Sequence, residues 1–152
     1  RKTITVTRRF DAEPALVWRT WTEPELLDQW WAPKPYRAET KRMDFSPGGH
    51  WMYAMVSPEG QRDWVWVDFK TIDPIKNFTC RDNFCDADGK VMDHPPGMDW
   101  NADFAADGNG TLVNVVLSFA SEADMQKIME MGFEEGFTAA LGNLDDYLST
   151  FK

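Results

Sequence analysis

The sequence predicts an α+β fold in which a curved antiparallel sheet of about seven strands wraps around a long C-terminal helix, with two short helices after the first strand. Three observations carry this. Between residues 121 and 151, Met125, Ile128, Met129, Phe133, Phe137, Ala140, Leu141, Leu144, Leu148 and Phe151 recur at steps of three or four, which is one face of a helix. From residue 36 to 120, alternating segments follow one another across short Gly- and Pro-rich turns, the signature of an antiparallel meander. A sheet with one apolar face and a helix with one apolar stripe are buried together most simply when the sheet curls around the helix.

Taken in order, residues 2–10 alternate Ile4, Val6 and Arg8 against threonines and form the first strand. Pro14 opens a short helix through Trp21, where its missing N–H costs nothing. Thr22 is expected to cap a second helix, with Glu25 as its capping-box partner, Leu26, Leu27, Trp30 and Trp31 as its apolar side, and Pro33 and Pro35 ending it. Strands follow at 36–45, 50–57, 62–73, 77–86, 98–106 and 111–120. Ser121 caps the helical region, with Asp124 three residues on. A continuous helix of about thirty residues would be roughly 45 Å long, against a radius of gyration of about 15 Å for a chain of this size. A break near Met131-Gly132 is therefore expected, leaving a short helix and a longer one of about eighteen residues.

The 152 residues read as one domain spanning 1–152, without internal repeat, low-complexity tract or linker, and long enough to bury about two thirds of the unfolded surface. With 25 Asp+Glu against 16 Lys+Arg the net charge is -9, which repels phosphate backbones and anionic lipid surfaces. Nucleic acid and membrane are not expected partners. No leader or apolar run of spanning length is visible, so the expectation is a soluble, cytoplasmic protein. Cys80 and Cys85 are five apart on one strand and point to opposite faces, which argues against a disulfide. Asp86, Asp88, Asp93 and His94 lack the spacing of a calcium loop, and neither metal nor cofactor is expected.

Eight Trp, ten Phe and eight Met suit a lined cavity and suit an ordinary core equally well. By alternation, one sheet face carries Trp51, Tyr53 and Met55, then Val65, Val67 and Phe69, then Phe78, Cys80, Asp82 and Phe84, then Trp100 and Phe104. Candidate ligand-binding residues are Trp51, Tyr53, Met55, Phe69, Phe78, Cys80, Asp82, Trp100 and Phe104, facing Met129, Phe133 and Phe137 of the helices. Gly132, Gly136 and Ala140 either let the long helix dock closely or leave a void beneath it. Asp82 places a carboxylate among apolar neighbours, where it needs a partner or a raised pKa, unless it lies exposed at the strand's end. Asp82 and Tyr53 are the two candidate catalytic groups, as acid/base and orienting residue. His50 falls on the other parity and reads as a rim residue. Cys80 has no histidine beside it and reads as filler.

The run from Phe10 to Leu26 (FDAEPALVWRTWTEPEL), then Trp30-Trp31-Ala32-Pro33, then Asp44-Phe45-Ser46-Pro47-Gly48-Gly49-His50-Trp51 resemble the AHSA1-like family, named for the activator of the Hsp90 ATPase. Ile72-Asp73-Pro74, Gly110-Thr111-Leu112-Val113 and Gly132-Phe133-Glu134-Glu135-Gly136-Phe137 match in order and spacing. The family is a branch of the START/Bet v 1-like (SRPBCC) superfamily, and the resemblance covers essentially the whole chain. It departs at 86–97, which is longer than the family's usual stretch. The resemblance implies a helix-grip fold and a cavity between helix and sheet, used in the superfamily for lipids, sterols, polyketides and other apolar molecules. It supplies no catalytic motif. Three readings follow: a hydrophobic or aromatic small-molecule binder, a cyclase- or hydrolase-type enzyme using Asp82 and Tyr53, and an interaction module. The last would be an Hsp90-type chaperone partner or a homodimer formed through exposed Trp64 and Trp66.

Overall fold

Alternation places Ile4, Val6, Arg8 and Phe10 of β1 (Thr3–Phe10) on its more buried side, against exposed Thr3, Thr5, Thr7 and Arg9. The computed structural model describes residues 2–92 and 95–151. After β1 come α1 (Pro14–Thr22) and α2 (Pro24–Leu27), then β2 (Arg37–Met43), β3 (His50–Val56), β4 (Arg62–Asp73), β5 (Asn77–Cys85), β6 (Met98–Asp107) and β7 (Gly110–Ser118). The chain ends with α3 (Glu122–Glu130) and α4 (Phe133–Ser149). The strands form one antiparallel sheet in the order β1-β7-β6-β5-β4-β3-β2. α1 packs on β6 and β7, α2 on the edge strand β2, and the two short helices pack on each other.

The helical break falls where the length argument puts it. Gly132 has φ of +83°, a left-handed conformation that glycine adopts without a Cβ penalty, and it separates α3 from α4. Ser121 accepts from the Asp124 N–H, closing the N-terminus of α3. Along α4, Phe137, Ala140, Leu141, Leu144 and Leu148 are the buried stripe.

The second helix departs from expectation. It has only four residues, Glu23 precedes it without a side-chain cap, and Thr22 belongs to α1, its hydroxyl donating back to the Trp18 carbonyl at 2.8 Å. Trp30 and Trp31 lie beyond it in turns. Asp28 fixes its end: Thr40 Oγ1 donates to Oδ1 at 2.7 Å and Thr40 N to Oδ2 at 3.2 Å, tying the turn to β2.

The sheet also has a second apolar patch that simple alternation does not foresee. Met52, Ala54 and Val56 are fully buried on the convex side of β3. The 86–92 excursion bends back over that side, with Lys41 Nζ donating to the Ala87 carbonyl and an isolated bridge joining Cys85 to Val91. Trp66 stacks on His50 at 4.2 Å and has the Arg42 guanidinium 5.5 Å from its ring, while Lys41 lies 5.5 Å from the Trp64 ring. Trp64 and Trp66 are thus half-buried, not the exposed interface aromatics the sequence suggested.

Candidate ligand cavity

The concave side of the sheet is filled at one end and hollow at the other. At the filled end Trp18 of α1 packs edge-on against Phe104 at 5.1 Å, Phe45 at 5.8 Å and Phe78 at 5.9 Å. At the other end a cavity of about 390 Å³ lies beneath the α3–α4 junction. Tyr53, Met55, Asp63 and Val65 of β3 and β4, with Asp82, Asn83, Phe84, Met98 and Trp100 of β5 and β6, form its floor. Ile128, Met131, Gly132, Phe133, Gly136 and Phe137 form the roof, and Trp31, Pro33, Tyr36 and Pro96 the sides. Tyr36 and Met131, 41% and 51% exposed, mark where the lining reaches the surface.

Register explains the floor. Val67 pairs with Asp82 and Asp82 with Met98, while Tyr53 pairs with Val65 and Val65 with Phe84, so the inward side chains form rows across four strands. A backbone clamp holds the side wall. Asn143 of α4 donates to the carbonyls of Trp30 and Ala32, at 3.4 and 3.0 Å, on either side of Trp31. Trp31 Nε1 then donates to Tyr53 Oη at 2.9 Å. Gly136 opens the roof, since a Cβ there would meet only Pro33, at 3.7 Å.

Asp82 is the cavity's innermost charged group. Its Oδ2 accepts from Trp100 Nε1 at 2.8 Å and its Oδ1 from Met98 N at 3.2 Å. Burial pushes its pKa up to about 6, with the two hydrogen bonds pulling the other way. Asp82 keeps some accessible area and lines the cavity. Burial, with the Asp82 charge second, also raises the Tyr53 phenol, which stays protonated and keeps a donor while accepting from Trp31. The same two causes, burial first and the Asp82 charge second, raise the Cys80 thiol well above its ordinary value. Both cysteines are free.

The model of the family described as "Activator of Hsp90 ATPase homolog 1-like protein" matches residues 11–149. The chain belongs to the AHSA1-like family. A protein from Arthrobacter aurescens solved by NMR is 31% identical, with 97% of this chain and 86% of that chain covered and a TM-score of 0.92. A crystal structure from Mycobacterium smegmatis is 27% identical over 96% of this chain and 90% of that one, with a TM-score of 0.88. An AHSA1 protein from Silicibacter pomeroyi, 20% identical over 99% of each chain with a TM-score of 0.77, shares the fold. No curated protein matches significantly. The AHSA1-like assignment and the helix-grip sheet-and-helix arrangement agree.

Within this AHSA1-like chain the expected ligand residues divide into three groups. Tyr53, Met55, Asp82, Trp100, Phe133 and Phe137 line the cavity. Trp51, Phe69, Phe78 and Cys80 instead line a deeper void of about 20 Å³, behind a partition of Trp31, Tyr53, Asp82 and Trp100 that borders both spaces. Phe104 and Met129 line neither: Phe104 is packed by Trp18 and Trp21, and Met129 sits half-buried on α3 beside the inward Ile128. Trp31, Ile128 and Met131 were not among the expected residues. Ile128 and Met131 flank Met129, so the apolar stripe pointed to the right turn of helix and the wrong side chain. For Trp31 the only signal was its place in an aromatic pair.

His50 lies on the convex side, accepting from Arg42 Nε through Nε2 at 2.9 Å, away from the cavity. Asp86 organises a turn, accepting from the backbone N–H groups of Asp88 and Lys90. Asp93 and His94, the other two acid and imidazole residues considered for a metal, lie outside the described residues. Among the described residues no group of three or more His, Cys, Asp or Glu side chains is placed to hold a metal ion, and no helix is long and apolar enough to cross a membrane.

Proposed function

We propose that this AHSA1-like domain binds a compact, apolar or aromatic small molecule in the cavity under the α3–α4 junction. The observation that carries the reading is a space of about 390 Å³ bounded by Trp31, Tyr53, Trp100, Phe133 and Phe137 with one carboxylate at its inner end. Ligand sites are mostly apolar concavities of about 300–1,000 Å³ with a few convergent polar groups. The size favours a small fused-ring system over a bulky lipid.

Calorimetric titration and thermal melting against a panel of fused-ring aromatics, phenols and fatty acids test the reading. A true ligand at a hundredfold excess over its dissociation constant should raise the melting temperature by about 5 °C or more. Gly136→Leu, which grows a side chain into the space, should abolish that response while leaving the protein folded. A panel without any response, or one to which the Gly136→Leu variant responds equally, would sink the proposal.

A second reading, favoured by the Asp82 carboxyl near 6, is acid/base catalysis on the bound molecule, with the Tyr53 phenol as an orienting donor. Turnover of a bound compound that survives both Asp82→Asn and Tyr53→Phe removes it.

A further inference from the structure

The cavity's polar lining is lopsided in charge. Asp82 lies at its inner end and Asp63 toward β4's outer end, with neutral groups from Tyr53, Tyr36 and Asn83, and no Lys, Arg or His is among the described lining residues. Asp82 has one neutral donor on each oxygen, from Met98 N and Trp100 Nε1, and each oxygen has room for another. Among the described residues no cation forms an ion pair with it, and its chain neighbour Arg81 is engaged by Asp99 at 3.3 Å. Trp100, which orients the carboxylate, has the Trp31 ring at 5.7 Å and the Phe137 ring at 5.4 Å. A carboxylate set among aromatic rings attracts a cation twice, through the charge and through the negative ring faces. An anionic guest would meet the same carboxylate as a like charge in a poorly solvated space. The net charge of -9 acts in the same direction at longer range.

We propose that the cavity selects organic cations: its ligand is an aromatic or cyclic amine whose ammonium group donates to Asp82 while its ring system fills the space under Phe133 and Phe137. This rests on the ligand-binding reading above and narrows it by charge. Acids, fatty acids included, are excluded by the same group that holds the amine.

Three probes of one shape and different charge separate the two levels: naphthylmethylamine, naphthylmethanol and naphthoate, titrated calorimetrically into the wild-type protein at about pH 7.5, where the amine is an ammonium ion and Asp82 a carboxylate. The amine should bind at least about tenfold more tightly than the alcohol, and the acid more weakly than either. Asp82→Asn should bring the amine down to the alcohol's affinity, with a cooperative thermal melt reporting that the variant is folded. If alcohol or acid binds the wild-type protein as well as the amine does, charge selection is overturned while the cavity reading stands. If none of the three binds, charge selection is overturned, and the cavity reading stands or falls on the wider panel. The wild-type ranking needs no variant, so a failure of Asp82→Asn to fold leaves the test decisive.

Discussion

A carboxyl group whose pKa rises from 3.8 to about 6 on folding makes Asp82 a liability once it ionises. The native state holds the proton more tightly than the unfolded chain does, so the group's stabilising contribution is full below the unfolded pKa and lost as pH rises through the folded one. With no ligand bound, stability should therefore fall between about pH 4 and pH 7 by at most about 3 kcal/mol from this group. Asp82→Asn should remove that slope, read as the difference between melting temperatures measured at the two ends. Gly97 supports the same group from behind: a Cβ there would lie 2.3 Å from the Asp82 carbonyl oxygen and from Asn83 Nδ2. Gly97→Ala should cost about 2 kcal/mol or more in denaturant unfolding and shift Met98 off the carboxylate. Alternation in the sequence put Asp82 on the inner face but left open whether it lay at a solvent-exposed strand end. The answer depends on β6 starting at Met98 and laying Trp100 over it, a pairing between strands that local pattern does not encode. Trp31 was harder still, since its position comes from Asn143, 111 residues along from the Ala32 carbonyl it holds.

Elements with a sustained period were legible, and those held by single contacts were not. The α3–α4 break followed from length alone, and the strands from alternation. The four-residue α2 did not, because its end is set by Asp28 reaching Thr40 rather than by a cap. β3 reads as a near-continuous apolar run, Trp51 to Val56, and has its two sides buried in different clusters, one of them closed by a loop whose fold is not periodic. The β4–β5 turn carries its own strain. Pro74 and Ile75 are its central residues, closed by Lys76 N donating to the Asp73 carbonyl at 2.9 Å, and Ile75 has φ of +70°. That conformation suits glycine and penalises a β-branched side chain. Ile75→Gly should stabilise the protein by about 0.5–1 kcal/mol, net of glycine's greater unfolded-state freedom, seen as a higher denaturant midpoint at constant slope. Gly142 lies inside α4 with open space at its Cβ position, and Gly142→Ala should add about 1 kcal/mol by helix propensity.

On the scale of the whole molecule, packing is uneven by design of the topology. Trp18 of α1 makes three aromatic contacts at one end of the concave sheet, while the other end is roofed by the α3–α4 junction, to which α3 contributes only Ile128, the one buried residue of its nine. Local opening should follow that division: α3 and the Gly132 junction should exchange amide hydrogens well before β4, β5 and β6, and a bound ligand should slow exchange there first. Equal protection of α3 and the central strands would contradict the picture of a loosely held roof. The apolar stripes alone left a filled interior and a cavity equally open, and the expectation of a cavity came from the family resemblance. The aromatic content has an optical consequence too. Trp31 has the rings of Trp21, Trp30, Trp51 and Trp100 at 5.8, 5.2, 5.5 and 5.7 Å. Five of the eight indoles thus form one connected cluster around the partition between cavity and deep void. Transition dipoles so close exchange excitation faster than they emit, so these five behave as one chromophore rather than five. A guest that touches Trp31 or Trp100 should change the emission of the whole cluster and its exciton bands in near-ultraviolet circular dichroism, while the half-buried Trp64 and Trp66 on the convex face stay silent.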